Sequence, residues 1–316
     1  MERRAFLLST AASVAALSAR AEDSDGLYNG NIVDTHQHLW DLEMFRLPWV
    51  ANLKGEAKKI LDRSYTLADY AEASKGLKVT KSVYMEVDVA LQHQIKEADY
   101  VTAICKEGKS TMQGAVISGR PAADNFAKYL NLFKDNQYIK GLRQVLHTPA
   151  TPDHFCLEEK FVKGVQLLGE RKLSFDLCLR GDQLDDGAKL VEQCPNTRFI
   201  LDHCGNPHAG KADLPTWEKG LKRVAANKNV ICKVSGIYGN VSHKDWPADK
   251  LAPVVRTVID TFGWDRVIFA SDWPVVNLGG SFAIWVNTLK QIVKKDSAEN
   301  QKKLFHDNAV RFYGLT

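Results

Sequence analysis

The stretch Ile32-Val33-Asp34-Thr35-His36-Gln37-His38-Leu39-Trp40 decides the fold, because a short apolar run leads directly into two histidines. The β-branched residues at its start predict a β-strand over residues 32–35. A nucleotide-binding open sheet would normally follow its first strand with a glycine-rich turn, and this stretch has none. Alternate side chains of an extended chain point the same way, so we expect Asp34, His36 and His38 to share one face.

Apolar runs of strand length recur along the chain and alternate with amphipathic helical patterns. The predicted strands cover residues 32–35, 81–87, 113–117, 141–146, 173–177, 198–201, 230–234 and 267–270. The predicted helices cover residues 67–75, 91–106, 122–133, 158–168, 184–192, 217–226, 252–262 and 282–293.

Eight strands that alternate with helices fit either a closed parallel barrel or a doubly wound open sheet. The missing glycine-rich turn favours the barrel. The polar residues favour it too, because they follow the C-terminal ends of the strands, where barrel enzymes build their sites. We therefore predict an α/β protein with a single (β/α)8 TIM barrel over residues 31–316.

The composition is that of an ordinary globular protein, with 45% hydrophobic and 25% charged residues. It excludes collagen-like and low-complexity chains. The 42 basic and 38 acidic residues leave a net charge of only +4, and the lysines are scattered over predicted helix exteriors. We expect a small-molecule substrate, no nucleic-acid partner and no membrane span.

Residues 1–21 have the pattern of a bacterial export signal. The paired Arg3 and Arg4 precede a mildly apolar run that is too short to cross a bilayer, and Ala19-Arg20-Ala21 resembles a cleavage site. This pattern predicts twin-arginine export to the periplasm, with residues 22–30 as a flexible segment. The alternative is an amphipathic or disordered leader on a cytoplasmic protein.

The six cysteines do not indicate a disulfide framework. A chain of this length buries enough surface without covalent cross-links, and Cys178, Cys204 and Cys232 lie within apolar runs. We expect them to pack as free, buried thiols.

Histidine and aspartate side chains follow three of the predicted strands. His36 and His38 follow the first strand, His203 follows the sixth and Asp272 follows the eighth. Three imidazoles and one carboxylate form a suitable ligand set for a divalent transition metal such as zinc.

Four motifs resemble those of a known family. They are Val33 to Trp40, Leu201-Asp202-His203-Cys204-Gly205-Asn206-Pro207, Lys233-Val234-Ser235-Gly236 and Phe269-Ala270-Ser271-Asp272-Trp273-Pro274. In this order they resemble the amidohydrolase superfamily, and most closely the amidohydrolase 2 group, which includes fuconolactonase and pyrone dicarboxylate lactonase. The C-terminal Asn308-Ala309-Val310-Arg311-Phe312-Tyr313 is similar to that group as well. The resemblance implies a TIM-barrel hydrolase that uses a metal ion.

The chain departs from the two-metal members of that superfamily. Residues 141–147 lack their bridging lysine on the fourth strand, and residues 174–178 lack their histidine on the fifth. The resemblance therefore implies one divalent metal ion, preferably zinc, held by His36, His38 and Asp272. Glu86 or His203 is the further ligand in this interpretation. A site that works without metal is the alternative.

The resemblance also implies roles for other residues. Asp272 would accept a proton from metal-activated water and return it to the leaving alkoxide, and His203 would act beside it as a second catalytic residue. In the site without metal, the histidines would bind and polarise the carbonyl. The residues expected to contact substrate are Trp40, Arg143, Lys233 and Trp273.

Each of these substrate-binding roles has a structural alternative. Arg143 could instead pair with a carboxylate such as Glu86 or Asp176. Lys233 could extend to water. The two tryptophans could pack within loops, and Asp34 is expected to support the histidines.

The predicted function is hydrolysis of a lactone, preferably of a sugar acid. Hydrolysis of another ester or an amide at the same metal is one alternative. Non-oxidative decarboxylation of an aromatic acid is another, weakened by the missing histidine on the fifth strand. An inactive barrel that only binds carbohydrate is the third, and the retained histidine and aspartate set argues against it.

Overall fold

The computed structural model describes residues 26–148, 150–207, 214–237 and 248–316. The predicted signal at residues 1–21 lies outside the described residues, as do residues 22–25 of the predicted flexible segment. Within the described part of the chain, no helix is long and apolar enough to cross a membrane.

The eight predicted strands are all present and form one parallel sheet in sequential order, from β1 to β8. Their bounds are Ile32–Gln37 (β1), Val79–Met85 (β2), Met112–Ser118 (β3), Ile139–Val145 (β4), Ser174–Cys178 (β5), Arg198–Leu201 (β6), Val230–Val234 (β7) and Val267–Phe269 (β8). Neighbouring strands pair in parallel throughout, and the sheet curls into a nearly closed barrel. The predicted TIM-barrel architecture is confirmed.

Helices surround the barrel. They are Pro48–Ala51 (α1), Gly55–Leu61 (α2), Leu67–Ala73 (α3), Gln94–Glu107 (α4), Phe126–Leu132 (α5), Glu159–Glu170 (α6), Leu184–Gln193 (α7), Leu214–Ala225 (α8), Ala248–Phe262 (α9), Phe282–Val293 (α10), Ala298–Lys302 (α11) and Asn308–Tyr313 (α12). The eight predicted helices correspond to α3 to α10; the bounds of α10 are as predicted, and the others have one or both ends shifted. The short α1 and α2, and the C-terminal α11 and α12 joined by a π-helical turn, were not predicted.

Two hydrophobic clusters explain why these segments fold as they do. The larger one fills the layer between the strands and the helices. The smaller one lies inside the barrel, where Val33, Val116 and Ile268 pack against Tyr313 and Leu315 from the C-terminal end of the chain. Because both faces of each strand are buried, the strands read as continuous apolar runs, and this is why the sequence predicts them well.

The barrel closes between β1 and β8 through a few specific contacts. A single isolated bridge joins Gln37 to Trp273, and the His38 N–H donates to the Trp273 carbonyl at 2.8 Å. The buried Asp34 carboxylate adds to this seam, since it accepts hydrogen bonds from the Ser271 N–H at 2.8 Å and the Ser271 hydroxyl at 2.6 Å.

The expected shared face of Asp34, His36 and His38 is wrong for Asp34. Its carboxylate accepts from the Tyr70 hydroxyl at 2.8 Å and from Ser271, away from the groups that surround the two histidines. The reason is an irregularity in the pairing of β1 with β2 between Asp34 and Gln37, which breaks the simple alternation of side chains. Asp34 supports His36 only through the His36 backbone N–H, at 3.2 Å.

All six cysteines are free and buried. The prediction that they pack as thiols is confirmed.

Candidate active site

A cavity of about 320 Å³ opens at the carboxyl ends of the strands. Its lining residues come from the ends of most strands and the loops that follow them: His38, Trp49, Val87, Asp88, Arg143, Val145, His147, Thr148, Cys178, His203, Asn206, Gly236, Asp272 and Val275. Parallel strands bring these segments to one end of the barrel, although they are far apart in sequence. This placement agrees with the predicted position of the site.

His36, His38 and Asp272 form a compact ligand cluster at the base of this cavity. The Asp272 Oδ1 atom lies 3.5 Å from His36 Nε2 and 3.3 Å from His38 Nε2. One ligand atom from each of the three residues lies within 4.8 Å of the others. The His38 Nδ1–H donates to the Met85 carbonyl at 2.9 Å, which leaves the Nε2 lone pair directed at the cluster.

The charge states of the cluster suit a cation. Burial, followed by the nearby Lys233 ammonium, lowers the pKa of His36 well below its usual range, so its imidazole is neutral at neutral pH. Burial alone would raise the pKa of Asp272, but His203, His38 and His36 outweigh it and hold the pKa below its ordinary value. Neutral imidazoles and an ionised carboxylate are the forms that bind a divalent metal.

A second layer of buried charges lies beneath the cluster. The Lys233 Nζ atom is 2.6 Å from Asp176 Oδ2 and 3.0 Å from Asp202 Oδ1, and it is 3.4 Å from His36 Nδ1. Burial raises the pKa of Asp176 to about 7, with repulsion from Asp202 adding to it and Lys233 opposing it. Asp202 is the reverse case, because Lys233 and His36 overcome the effect of burial and lower its pKa well below the usual range.

Arg143 and Glu86 form the other buried pair. The Arg143 Nε donates to Glu86 Oε1 at 2.6 Å, and Nη2 donates to the Glu86 backbone carbonyl at 2.7 Å. The remaining Nη1 lies 3.2 Å from His36 Nε2 and 3.3 Å from Asp202 Oδ2. Glu86 thus accepts hydrogen bonds from two nitrogens of the guanidinium, and the third nitrogen, Nη1, lies beside the cluster of His36, His38 and Asp272.

The buried charges do not balance, and their sum favours a cation. More carboxylates than cations surround the cluster: Glu86, Asp176, Asp202 and Asp272 against Arg143 and Lys233. Because burial raises the pKa of Asp176 to about 7, the excess at neutral pH lies between one and two negative charges, which favours a bound cation. Buried charges need partners, so the donor set and its charge both fit a metal ion.

His203 forms the neighbouring wall of the cavity. Its Nδ1 lies 3.0 Å from the Ser235 hydroxyl, and its ring centroid is 4.5 Å from that of His36. Gly236 packs against this ring, and a Cβ added there would be 2.5 Å from His203 Cγ. Gly236 also has a φ of +68°, so both the space and the backbone require glycine.

The predicted site residues therefore occupy different surroundings. His38, Arg143, His203 and Asp272 line the cavity, and His36 lies directly behind it. Glu86 and Lys233 are fully buried and paired, so the alternative in which Lys233 extends to water is wrong. No contact of Glu86 with the His36, His38 and Asp272 cluster is observed.

The two tryptophans do not line the cavity. The Trp40 indole donates to the Arg63 carbonyl at 2.6 Å and packs against Trp49 and Tyr65. Trp273 is buried against Tyr65 and Tyr70. These contacts match the structural alternative, and contact of either tryptophan with substrate stays a prediction.

Several residues in or beneath the cavity were not singled out as functional from the sequence. Asp202 contacts His36, Arg143 and Lys233, and its position at a strand exit beside His203 was an available signal. His147 lies two residues beyond the end of β4 and was open to the same argument. Asn206 belongs to the motif from Leu201 to Pro207, which was an available signal, whereas Asp88 lies in a loop where nothing in the local sequence distinguishes it.

Comparison with known proteins agrees with this site. Residues 33–315 match the family model described as amidohydrolase. The chain is 30% identical to an uncharacterized protein of Sinorhizobium fredii, over 89% of this chain and 98% of that one. It is 25% identical to an L-fucono-1,5-lactonase of Burkholderia multivorans, over 90% of this chain and 96% of the relative.

A solved structure shares the fold. The crystal structure of an amidohydrolase from Burkholderia multivorans with bound zinc superposes with a TM-score of 0.79 at 23% identity, covering 91% of this chain and all of that one. The chain has the barrel, the cavity at the carboxyl ends of the strands and the histidine and aspartate cluster. Together with the family match, these features identify it as a hydrolase that belongs to the amidohydrolase family.

Proposed function

We propose that the protein hydrolyses a lactone of a sugar acid, with one zinc ion held by His36, His38 and Asp272. The observation that carries the proposal is that this cluster lies at the base of the cavity of about 320 Å³. The similarity to an L-fucono-1,5-lactonase supports the choice of a lactone. The zinc in the similar solved structure supports the choice of metal.

His36, His38 and Asp272 would hold the divalent ion, which when bound would lower the pKa of water and act as a Lewis acid toward the lactone carbonyl. Asp272 accepts a proton from the attacking water and returns it to the leaving alkoxide. His203 Nδ1 lies 3.0 Å from the Ser235 hydroxyl, and in the tautomer that accepts from this hydroxyl His203 presents its Nε2–H to the carbonyl oxygen as negative charge develops. Asp34 holds Ser271, and with it the loop that carries Asp272.

The cavity favours an uncharged substrate over one with carboxylates. Among the described residues that line it, Arg143 is the one permanently charged cation, and two nitrogens of its guanidinium already donate to Glu86. A substrate carboxylate would have to compete with Glu86 for that charge. A sugar lactone needs hydrogen bonds instead, and Asp88, Thr148 and Asn206 offer polar groups at the cavity wall.

The metal is tested first, by elemental analysis of the purified protein. We expect about one equivalent of zinc, and we expect the double variant His36→Ala/His38→Ala to lose it. Lys163→Ala is the matched control, because Lys163 pairs with Glu159 on the surface of α6. A protein free of metal that is fully active would favour the alternative, in which Asp272 activates water unaided and the histidines bind and polarise the carbonyl.

The substrate is tested with a panel of sugar 1,4- and 1,5-lactones, followed by acid release near neutral pH. We expect turnover of at least one lactone. The same assay on aromatic acids, with detection of carbon dioxide, covers the decarboxylase alternative. Carbon dioxide release without any lactone turnover would overturn the proposal, and so would hydrolysis restricted to amides or other esters.

We also propose that residues 1–21 direct export to the periplasm through the paired Arg3 and Arg4. Replacement of both arginines by lysine is expected to shift the protein from the periplasmic to the cytoplasmic fraction. An unchanged distribution would contradict this proposal and would favour the cytoplasmic leader.

A further inference from the structure

A histidine and a cysteine form a pair on the cavity wall that the proposed reaction leaves unused. His147 follows β4 and Cys178 ends β5, so adjacent strands place them side by side. His147 Nδ1 lies 3.1 Å from Cys178 Sγ. Both residues line the same cavity as His38, His203 and Asp272.

The pair is uncharged and is not a nucleophile. Burial raises the pKa of the Cys178 thiol far above its usual range, so it remains S–H at neutral pH. Partial burial in the cavity wall, followed by the charges of His203 and Arg143, lowers the pKa of His147 below its ordinary value, so its imidazole is neutral at neutral pH. A thiolate beside an imidazolium, which cysteine-dependent hydrolysis requires, is therefore absent from this pair.

The orientation of the ring leaves one nitrogen for a ligand. Nδ1 of His147 is engaged with Cys178, while the side chain is exposed and lines the cavity. Nε2 is then the nitrogen open to a bound molecule. A neutral imidazole nitrogen forms one hydrogen bond, and a hydroxyl group can either donate to it or accept from it.

We propose that His147 is a specificity-determining residue whose Nε2 binds a hydroxyl group of the lactone substrate, and that Cys178 is a positioning residue that holds the ring. This inference rests on the proposed function and assigns a hydroxylated lactone to the cavity. Cys178 is 1% exposed and therefore acts only through the imidazole. A site built to bind a substrate hydroxyl discriminates against an analogue that lacks it.

The test compares a hydroxylated sugar 1,5-lactone with unsubstituted δ-valerolactone, which has the ring and the ester but no hydroxyl. We expect His147→Phe to lower kcat/KM for the sugar lactone by about ten- to a hundredfold. We expect less than a twofold change for δ-valerolactone. The ratio of kcat/KM for the sugar lactone to kcat/KM for δ-valerolactone should therefore be lower in His147→Phe than in the unaltered protein, by about the same factor.

Cys178 is tested by rescue. Cys178→Val removes the hydrogen-bonding partner of the ring and should raise KM for the sugar lactone. Cys178→Ser places a hydroxyl where the thiol was and should keep KM close to that of the unaltered protein. Cys156→Val is the matched control, since Cys156 is equally buried but does not line this cavity. It should leave both substrates unaffected.

The outcomes separate this inference from the proposed function. Absence of turnover of both lactones by the unaltered protein overturns the proposed function, and this inference with it. Turnover of both lactones, with equal losses or no loss in His147→Phe, overturns this inference alone. If Cys178→Val does not fold, the comparison of His147→Phe with His147→Gln decides, because only glutamine retains a group that can bind the hydroxyl.

Discussion

Replacing Lys233 by methionine should destabilise the folded protein strongly. The ammonium is completely buried and lies 2.6 Å from Asp176 Oδ2 and 3.0 Å from Asp202 Oδ1. Methionine keeps the length of the side chain but leaves two buried carboxylates without this cation. Breaking a buried ion pair by removing one partner costs about 3–5 kcal/mol, so we expect a loss of that size in the free energy of unfolding.

The loss should appear in urea unfolding followed by tryptophan fluorescence. The double variant Lys233→Met/Asp176→Asn removes one carboxylate with the cation, so it should recover part of the loss, with an interaction energy of roughly 0.5–3 kcal/mol. Lys163→Met is the control, because its partner Glu159 is exposed and the pair is screened by water. The urea midpoint of that variant should not move.

Two results would refute this reasoning. A loss below about 1 kcal/mol in Lys233→Met would mean that the carboxylates are satisfied without the ammonium. A double variant no more stable than the additive sum of the single variants would mean that Asp176 and Lys233 do not act as a pair.

Three further predictions follow from the site and its surroundings. Gly236→Ala should displace the His203 ring and lower kcat, because the added Cβ would be 2.5 Å from His203 Cγ. Steady-state kinetics measures this loss, and an unchanged kcat would contradict the packing argument. Asp272→Asn should lower kcat by about 10³-fold or more with an unchanged circular dichroism spectrum, and full activity would mean that another group is the base. Burial, followed by repulsion from Glu86, raises the pKa of Glu97 from 4.5 to about 8, so the folded protein keeps a proton that the unfolded chain releases. Stability should therefore fall as pH rises from about 4.5 to about 8, and Glu97→Gln should flatten this fall in urea midpoints measured across that range.

The fold was predictable because its signals are local. Each strand is buried on both faces and reads as a short apolar run, and this is visible without knowledge of what packs on it. The His36 and His38 pair after β1 and Asp272 after β8 were predictable as site residues for a related reason. Any parallel barrel brings the carboxyl ends of its strands together, so position along a strand places a residue at the site.

The roles of the buried charged residues were not predictable in the same way. Arg143 and Lys233 were expected at the substrate, with pairing of Arg143 to Glu86 or Asp176 as the alternative. The pairing with Glu86 is observed, whereas Asp176 and Asp202 pair with Lys233. Which carboxylate a long cationic side chain reaches depends on distances across the barrel, and local sequence carries no information on these distances.

The sequence by itself determined the eight strands, their alternation with helices and the positions of the histidines and Asp272, because these follow from hydrophobic patterns within short segments. Only the tertiary structure decided that Asp34 turns away to hold Ser271, because a pairing irregularity in β1 breaks the alternation of side chains. Only the tertiary structure brought His147 to Cys178, since contact between adjacent strands depends on their register, which residues 31 positions apart do not encode locally.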